Sequence, residues 1–531
     1  MNKRWFPSAL AMVAAMLMAW GGVAGAAETV LKRGEAFFQT DFEGASALNA
    51  WAGQGKLADG YRSNQSLLVE QPTGATNGGA VVTVSLPAER MRGYTVYGSA
   101  LIKAEGVSAK PKPWNGVKFM LAVEGPSGKT WPAATLEAGS FDWQRAAFTG
   151  RIPGDATRVT LVLGLEAVSG KAWFDDVRIY VGKPPVVIKP RAKDAAAYKG
   201  HDLPRLRGTM ISPSIDEASL RVLGQEWNAN LLRWQLIRSV APGKEAPLDQ
   251  YDQWIEGELK RLDAGLAWCE QYGVRVVVDL HSPPGGRRTV SGYIGSDNGL
   301  FADKAAQDKF VQVWERIATR YKGNPVIWGF DLANEPVEGM VGDDCDDWHS
   351  LAERAAKAVN AIDSKRTIIV EPADWGGPDA LQDFYPIDAE NVVYSVHMYV
   401  PMALTHQTVF GPGPEVVYPG TIEGKQWDKS QLEAALKPVI DFQKTYGVHI
   451  YIGEFSAIRW APQNSAYRYL KDLIDIFEAH GWDWSYHAFR EWQGWSVEHD
   501  EQRNHIKPAA QQTDREKLLR EWFAKNQKPR Q

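Results

Sequence analysis

The stretch Val326–Gly339, VIWGFDLANEPVEG, is an apolar segment that ends in an ionisable carboxylate. Its first part, up to Leu332, is mostly apolar or small, which is typical of a strand buried on both faces. Asn334 and Glu335 lie at its carboxyl end, and Pro336 then breaks the pattern. A strand buried on both faces predicts a parallel sheet covered by helices. The carboxylate at its end predicts a functional site, because an unpaired buried charge is costly.

Seven other segments share this buried-strand pattern, and amphipathic helical stretches separate them. The eight strand candidates are Leu206–Met210, Asn230–Leu236, Val274–His281, Val326–Asn334, Thr367–Pro372, Val392–Tyr399, Ile450–Phe455 and Trp482–Phe489. This alternation of strands and helices predicts an α/β fold, a (β/α)8 TIM barrel over residues 201–527. In such a barrel the functional residues lie at the carboxyl ends of the strands.

The residues before the barrel have a different pattern. Short β-rich runs separated by Gly, Pro, Asp or Ser fill residues 28–182, which predicts an all-β domain, a jelly roll or β-sandwich. Residues 183–200, rich in proline and lysine, predict a linker. Residues 1–26 have the positive start, apolar segment and Ala24-Gly25-Ala26 cleavage signal of a signal peptide. We therefore expect an exported protein, either periplasmic or extracellular.

Composition limits the possible partners. The net charge of -5 and the pI near 6.1 argue against nucleic acid or an anionic membrane as the main partner. The 22 Trp are unusual, since the flat indole face suits both core packing and the faces of sugar rings. Cys269 and Cys345 allow at most one disulfide, and two free thiols are equally compatible with the sequence. We expect no metal, because the sequence contains no clustered set of Cys and His ligands. We also expect a monomer with no cofactor.

Six of the eight predicted strands end in, or are followed by, groups suited to catalysis or sugar binding. These are Arg233 on the second strand, His281 on the third, Asn334 and Glu335 on the fourth, His397 and Tyr399 on the sixth, Glu454 on the seventh, and Trp492 and Trp495 just after the eighth. Each residue alone has an ordinary structural explanation, but together they would surround one mouth. Two carboxylates facing one mouth are the groups that glycoside hydrolysis requires.

At these residues the sequence resembles glycoside hydrolase family 5, the large cellulase family, over roughly Leu203 to Trp522. The shared motifs are Asn-Glu-Pro after the fourth strand, His-x-Tyr on the sixth and Gly-Glu-Phe on the seventh. The resemblance implies that Glu335 is the acid/base and Glu454 the nucleophile of a retaining reaction. It also implies supporting roles for Asn334 at the sugar 2-hydroxyl, for Arg233, His397 and Tyr399 around Glu454, and for His281 in the subsite of the reacting sugar.

The sequence departs from the family pattern at the eighth strand. The family usually has a Trp there as a platform for the sugar, whereas WDWSYHAF places His487 at that position. We assign the platform to Trp492, just beyond the strand, with Trp495 as the alternative.

Other acidic and aromatic residues have expected roles outside the chemistry. Glu371 ends the fifth strand, and we expect a rim position or a hydrogen bond to substrate. Asp279 and Asp331 lie inside their strand ends, which favours structural roles. Trp348 and Trp375 are expected in loops that select the substrate.

The sequence therefore predicts a secreted retaining β-glycosidase that hydrolyses a β-linked polysaccharide by double displacement, an endo-β-1,4-glucanase (cellulase). The alternatives are the same mechanism on β-mannan, β-1,3-glucan or another β-glycoside, and a catalytically silent sugar-binding protein. FFQTDFEG and AWFDDVRIY in the first domain resemble the outer strands of carbohydrate-binding modules. We expect that domain to be separable and to assist binding to insoluble polymer.

Overall fold

The computed structural model describes residues 30–529, except 45, 74–78, 186–196, 239–247, 289–296 and 343. The predicted signal peptide, residues 1–26, and most of the predicted linker lie outside these described residues. The last strand before the linker extends to Lys183, one residue into the predicted linker.

The first domain is built of two antiparallel sheets. Its strands are β1 (Ala36–Thr40), β2 (Ala52–Gly53), β3 (Lys56–Ala58), β4 (Ser66–Gln71), β5 (Gly79–Leu86), β6 (Thr95–Val107), β7 (Gly116–Gly125), β8 (Gly128–Thr130), β9 (Gly139–Arg151), β10 (Arg158–Glu166) and β11 (Gly170–Lys183). One sheet has the order β3-β4-β11-β6-β9, with β1 also paired to β11, and the other has the order β2-β5-β10-β7-β8. Apolar side chains from both sheets, such as Ile102 and Phe174 from the first and Phe119 and Leu161 from the second, form one core. This confirms the predicted all-β domain.

The second domain is a closed barrel of eight parallel strands. Its strands are β12 (Arg207–Ile211), β13 (Leu231–Gln235), β14 (Arg275–Asp279), β17 (Ile327–Asp331), β18 (Thr367–Val370), β19 (Val392–Met398), β22 (Ile450–Phe455) and β23 (Asp483–Phe489). The barrel loops contain two antiparallel strand pairs, β15 (Arg287–Arg288) with β16 (Asp297–Asn298) and β20 (Gly420–Ile422) with β21 (Lys425–Trp427). Each barrel strand overlaps one of the eight candidates, and the strands follow one another around the ring in chain order. The predicted TIM barrel is confirmed.

Helices cover the outside of the barrel. Apart from α1 (Ala88–Met91) in the first domain, they are α2 (Glu217–Arg221), α3 (Tyr251–Tyr272), α4 (Gly299–Ala302), α5 (Lys304–Arg320), α6 (Trp348–Ile362), α7 (Met402–Thr405), α8 (Lys429–Ala435), α9 (Lys437–Tyr446), α10 (Ser465–His480) and α11 (Asp514–Phe523). Asp303, Asp347 and Asp428 begin α5, α6 and α8 by accepting a hydrogen bond from a first-turn backbone N–H. Among the described helices, none has the length and apolar character that crossing a bilayer needs.

The barrel strands are apolar because both of their faces are buried. Outward-facing side chains pack under the helices in one large core. A second cluster, which includes Leu231, Val277, Ile369, Val393 and Tyr451 from five different strands, fills the barrel interior. The functional end of such a barrel is the one formed by the carboxyl ends of the strands. Cys269 and Cys345 are both buried free thiols.

Candidate active site

Arg233, on β13, is the centre of the polar cluster inside the barrel mouth. Its side chain is fully buried, and its Nη1 donates to Glu454 Oε1 at 2.5 Å. Nε and Nη2 donate to Asp331 Oδ2 at 3.1 and 3.0 Å, and Nη2 also donates to Glu371 Oε1 at 3.0 Å. Asp279 Oδ1 lies 3.2 Å from Nη2. One guanidinium is thus shared by four carboxylates, which compensates charges that would otherwise be costly to bury.

Glu454, on β22, has donors on both carboxylate oxygens. Arg233 donates to Oε1, and the Tyr399 hydroxyl donates to Oε2 at 2.8 Å. Burial alone would raise the pKa of Glu454, but the positive charges of His397, His487 and Arg233 outweigh burial and hold that pKa well below its ordinary value. The structure therefore keeps this carboxylate ionised, although it is only 4% exposed.

Glu335 lies four residues beyond the end of β17 and is more open to solvent than Glu454, with side chains 20% and 5% exposed. Its backbone has a positive φ of 44°, which is uncommon for a residue with a side chain. Its N–H donates to Glu371 Oε2 at 2.8 Å, and its Oε1 lies 2.9 Å from His397 Nδ1. Glu371 thus holds the backbone of Glu335, and His397 holds its carboxylate.

His397, on β19, joins the two carboxylates. Its Nδ1 contacts Glu335 Oε1 and lies 3.8 Å from Glu454 Oε2, while its Nε2 lies 3.1 Å from Glu371 Oε1. Burial alone would lower the pKa of His397, but the charges of Glu371 and Glu454 raise it well above its ordinary value. A cation therefore lies between the two candidate catalytic groups.

The two remaining polar candidates lie at the same mouth. Asn334 is buried, and its Oδ1 accepts a hydrogen bond from Arg233 Nη2 at 3.2 Å, which leaves the amide N–H groups as its donors. His281 follows β14, and its Nδ1 lies 2.8 Å from Asp279 Oδ2. This contact orients the imidazole, and its charge is among those that lower the pKa of Glu454.

The end of β23 is occupied by a charged pair where the family pattern has a Trp. His487 Nδ1 lies 2.5 Å from the Tyr399 hydroxyl and 3.5 Å from Glu454 Oε2. Its Nε2 lies 3.3 Å from Glu491 Oε2. Burial would lower the pKa of His487, but Glu454 and Glu491 raise it above the ordinary value. His487 thus acts on the nucleophile candidate through charge. Glu491, its partner, has no motif in the sequence that marks it as a site residue.

Trp492 and Trp495 form an aromatic wall beside this pair. The Trp495 ring lies 6.2 Å from Tyr399 and 5.9 Å from His487, measured between ring centroids, and it is 8% exposed. Trp492 packs edge-on against Trp495 at 5.5 Å and is 38% exposed. Trp495 is therefore nearer the polar cluster, while Trp492 has the larger open face. The assignment of Trp492 as the platform stays a prediction.

We expect Trp492→Ala to lower kcat/KM on oligosaccharides by roughly fivefold, mainly through KM, because one aromatic contact contributes about 1 kcal/mol. The melting temperature should change little, since this ring is partly exposed. Trp495→Ala should lower the melting temperature, because removing a buried Trp costs about 3–5 kcal/mol. Steady-state kinetics and thermal unfolding of both variants check this. If Trp492→Ala kinetics are normal while Trp495→Phe keeps the fold and raises KM, Trp495 is the platform.

Among the residues that the structure describes, two sets of His and carboxylate atoms lie close enough together to hold a cation. One joins His201, His449 and Asp483 at the amino end of the barrel. Both imidazole Nε2 atoms there lie 2.7 Å from Asp483 Oδ2, so these groups already satisfy one another. The other set is Glu335, His397 and Glu454, where hydrogen bonds play the same part.

Two expectations from the sequence are wrong in position. Glu371 was expected at the rim or in a hydrogen bond to substrate. The rim position is wrong, because Glu371 is fully buried directly after β18, where it contacts Arg233 and the Glu335 N–H. Trp348 was expected in a substrate-selecting loop, but it is the first residue of α6, fully buried, with Nε1 donating to Glu371 O at 2.6 Å. Asp279 and Asp331 hold Arg233, in agreement with the structural roles expected for them.

Comparison with known proteins identifies the family of the barrel domain. The model of the family described as Cellulase (glycosyl hydrolase family 5) matches residues 194–492, more than half of the chain. Endoglucanase C of Acetivibrio thermocellus is 29% identical over 266 residues, which cover 45% of this chain and 75% of that protein. Cellodextrinase A of Ruminococcus flavefaciens is 26% identical over 232 residues, 43% of this chain and 66% of its own length. A mutant form of Cel5A of Thermotoga maritima, solved in complex with cellobiose, is 25% identical, with a TM-score of 0.44 and coverage of 60% of this chain and 96% of that chain. The chain belongs to the cellulase family, glycosyl hydrolase family 5, and is a glycoside hydrolase.

Proposed function

We propose that the protein is a retaining β-glycosidase that cuts β-1,4-glucan chains internally, as an endoglucanase. The observation that supports the retaining mechanism is the distance between the carboxylates of Glu335 and Glu454. One carboxylate oxygen each from Glu335 and Glu454, with a ring nitrogen of His397, lie within 4.8 Å of one another. Retaining enzymes place their two carboxyl groups about 5–5.5 Å apart, whereas inverting enzymes need roughly 6.5–9.5 Å to admit a water between them. The spacing here therefore supports direct attack on the sugar by a carboxylate.

The two carboxylates have environments suited to different roles. Glu454 is held ionised by Arg233, Tyr399 and His397, so it is the group able to attack the anomeric carbon. Glu335 is more open to solvent at the mouth, so it is the group placed to give a proton to the leaving oxygen of a bound substrate. In the second half of the reaction Glu335 takes a proton from water, which releases the sugar from Glu454.

The supporting residues orient the carboxylate of Glu454 and bind the sugar. Arg233 and Tyr399 each occupy one oxygen of Glu454 and so fix the direction of its attack. As Glu454 loses negative charge on forming the glycosyl ester, the Tyr399 hydroxyl is free to shift its hydrogen bond toward the sugar. Asn334, with its amide donors unclaimed by Arg233, is placed to bind a hydroxyl next to the reacting carbon.

The substrate assignment rests on the relatives, several of which are named endoglucanases. We expect a soluble β-1,4-glucan to lose viscosity early, well before many reducing ends appear, because an endo-acting enzyme cuts chains internally. Viscosity and reducing ends should be followed together on soluble β-1,4-glucan, β-mannan and β-1,3-glucan, with Glu454→Ala as the inactive control. Faster cleavage of β-mannan or β-1,3-glucan would replace the proposed substrate and keep the mechanism. No cleavage of any polysaccharide or of an aryl β-cellobioside would indicate a sugar-binding protein.

A further inference from the structure

The β-sandwich contacts the barrel loop that carries the candidate acid/base. Arg33, just before β1, donates from Nη1 to Cys345 O at 2.8 Å and from Nη2 to Val341 O and Gly342 O at 3.0 and 2.8 Å. The Val341 N–H donates to the Tyr97 hydroxyl at 3.3 Å. All of these barrel atoms belong to the loop between β17 and α6, residues 332–347, which contains Glu335.

A charged contact joins the same two parts. Lys183, the last residue of β11, forms an ion pair with Glu338 Oε2. The pair is largely shielded from water, with side chains 29% and 11% exposed. Burial alone would lower the pKa of Lys183, but Glu338 and Asp347 raise it, so the lysine stays charged. Removing one partner would leave the other charge poorly solvated, which is more costly than losing a surface pair.

Hydrogen bonds continue from this ion pair to Glu335. Glu338 Oε1 accepts from the Trp348 N–H at 2.6 Å, at the start of α6. Trp348 Nε1 donates to Glu371 O at 2.6 Å. Glu371 Oε2 accepts from the Glu335 N–H at 2.8 Å. Each step joins two buried or half-buried groups, and the last one holds a residue whose backbone has a positive φ.

We propose that the β-sandwich is a working part of the active site: the docking face formed by Arg33, Tyr97 and Lys183 positions the acid/base loop, and Lys183 is a positioning residue that acts through Glu338. This inference rests on the proposed role of Glu335. It differs from the expectation that the first domain is a separable module whose loss would appear mainly on insoluble polymer.

The test compares leaving groups in the full-length protein. The matched control is Lys171→Met, because Lys171 also lies on β11 and pairs with a carboxylate, Glu105, within the sandwich. Lys183→Met should lower kcat/KM on phenyl β-cellobioside by about tenfold, since small misplacements of a catalytic group have effects of that order or larger. With 2,4-dinitrophenyl β-cellobioside, whose leaving group needs no proton, the change should stay within about twofold. Lys183→Arg should restore activity, and Lys171→Met should match the wild type on both substrates.

A double-mutant cycle with Glu338→Gln tests whether Lys183 acts through Glu338. The double variant Lys183→Met/Glu338→Gln should be no worse than Lys183→Met alone. Hydrogen exchange in peptides covering residues 332–347 should increase in Lys183→Met and not in Lys171→Met, and this readout does not depend on activity. If Lys183→Met fails to fold, Arg33→Met supplies the same comparison from an exposed position.

Equal losses on the two aryl substrates, or unchanged hydrogen exchange in the loop, would overturn the inference. Failure of the proposed function looks different, because the wild type would then cleave neither aryl cellobioside, while the exchange measurement would still report whether the docking face holds the loop.

Discussion

Replacing Glu454 with Ala should abolish turnover on every β-glycoside that the wild type cleaves, by on the order of 10⁴- to 10⁶-fold in kcat, the range seen when an enzyme loses its covalent nucleophile. The physical reason is that no other described carboxylate has the same environment. Glu371 is as buried, but its oxygens are used by Arg233 and the Glu335 N–H. Glu454 alone combines a strongly lowered pKa with a place within 4.8 Å of Glu335.

Three measurements test whether Glu454 is the nucleophile, which loss of activity alone would not establish. A 2-fluoro β-cellobioside should label Glu454 in a peptide map, and proton NMR should show the β-anomer as first product. Azide should restore cleavage of dinitrophenyl β-cellobioside by Glu454→Ala with an α-cellobiosyl azide as product, because azide then attacks directly. Glu390→Ala is the matched control, an exposed glutamate before β19 at the opposite end of the barrel, and it should behave as wild type. A label on Glu371 or Glu335, or an α-anomer as first product, would refute the assignment.

Sequence patterns were sufficient for the barrel and for its two principal carboxylates. Parallel strands buried on both faces must be apolar, so the eight strands stand out as apolar runs between helices. Chain order around a TIM barrel then places Glu335 and Glu454 at one mouth without further information. The contact of Arg233 with Glu454 was implied by the resemblance to the family and not by chain order, because strand order alone does not say which carboxylate the guanidinium meets.

The sequence could not predict how deep each glutamate lies in the mouth of the barrel. Glu371 is the first residue after β18 and is fully buried, whereas Glu335 is four residues beyond β17 and reaches solvent. From the sequence both are glutamates near a strand end. The exact end of a strand depends on its pairing partners, so the sequence does not distinguish their burial. The helical position of Trp348 could have been predicted from the sequence. Asp347 before it is a residue type that caps helices, and this indicates a helix start rather than a loop.

Packing between the domains left no sequence signal at all. Arg33 and the Cys345 carbonyl are 312 residues apart in the chain, and a lysine or arginine at a strand end normally indicates a solvated position. Trp114 and Trp131 are exposed, at 64% and 59%, while Trp51 packs against Phe38 in the sandwich core.

Replacing Glu335 with Ala should separate substrates by their leaving groups. On phenyl β-cellobioside and on cello-oligosaccharides, kcat/KM should fall by about 10²- to 10⁴-fold, the usual contribution of general acid catalysis. On 2,4-dinitrophenyl β-cellobioside the first step needs no proton, so Glu454 should still form the glycosyl-enzyme. Release should then be slow, because the same variant has lost the base that activates water.

The kinetic signature follows from that order of steps. Rapid mixing of Glu335→Ala with the dinitrophenyl substrate should give a burst of dinitrophenolate equal to one per active site, followed by slow turnover. Azide should accelerate the slow phase and give a β-cellobiosyl azide, the opposite anomer to that expected from Glu454→Ala. Glu335→Gln should show the same burst, which would separate loss of the proton from loss of side-chain volume. Equal losses on the two aryl substrates, with no burst, would mean that Glu335 does not act as the acid/base, and the short contact with His397 would then be a structural hydrogen bond.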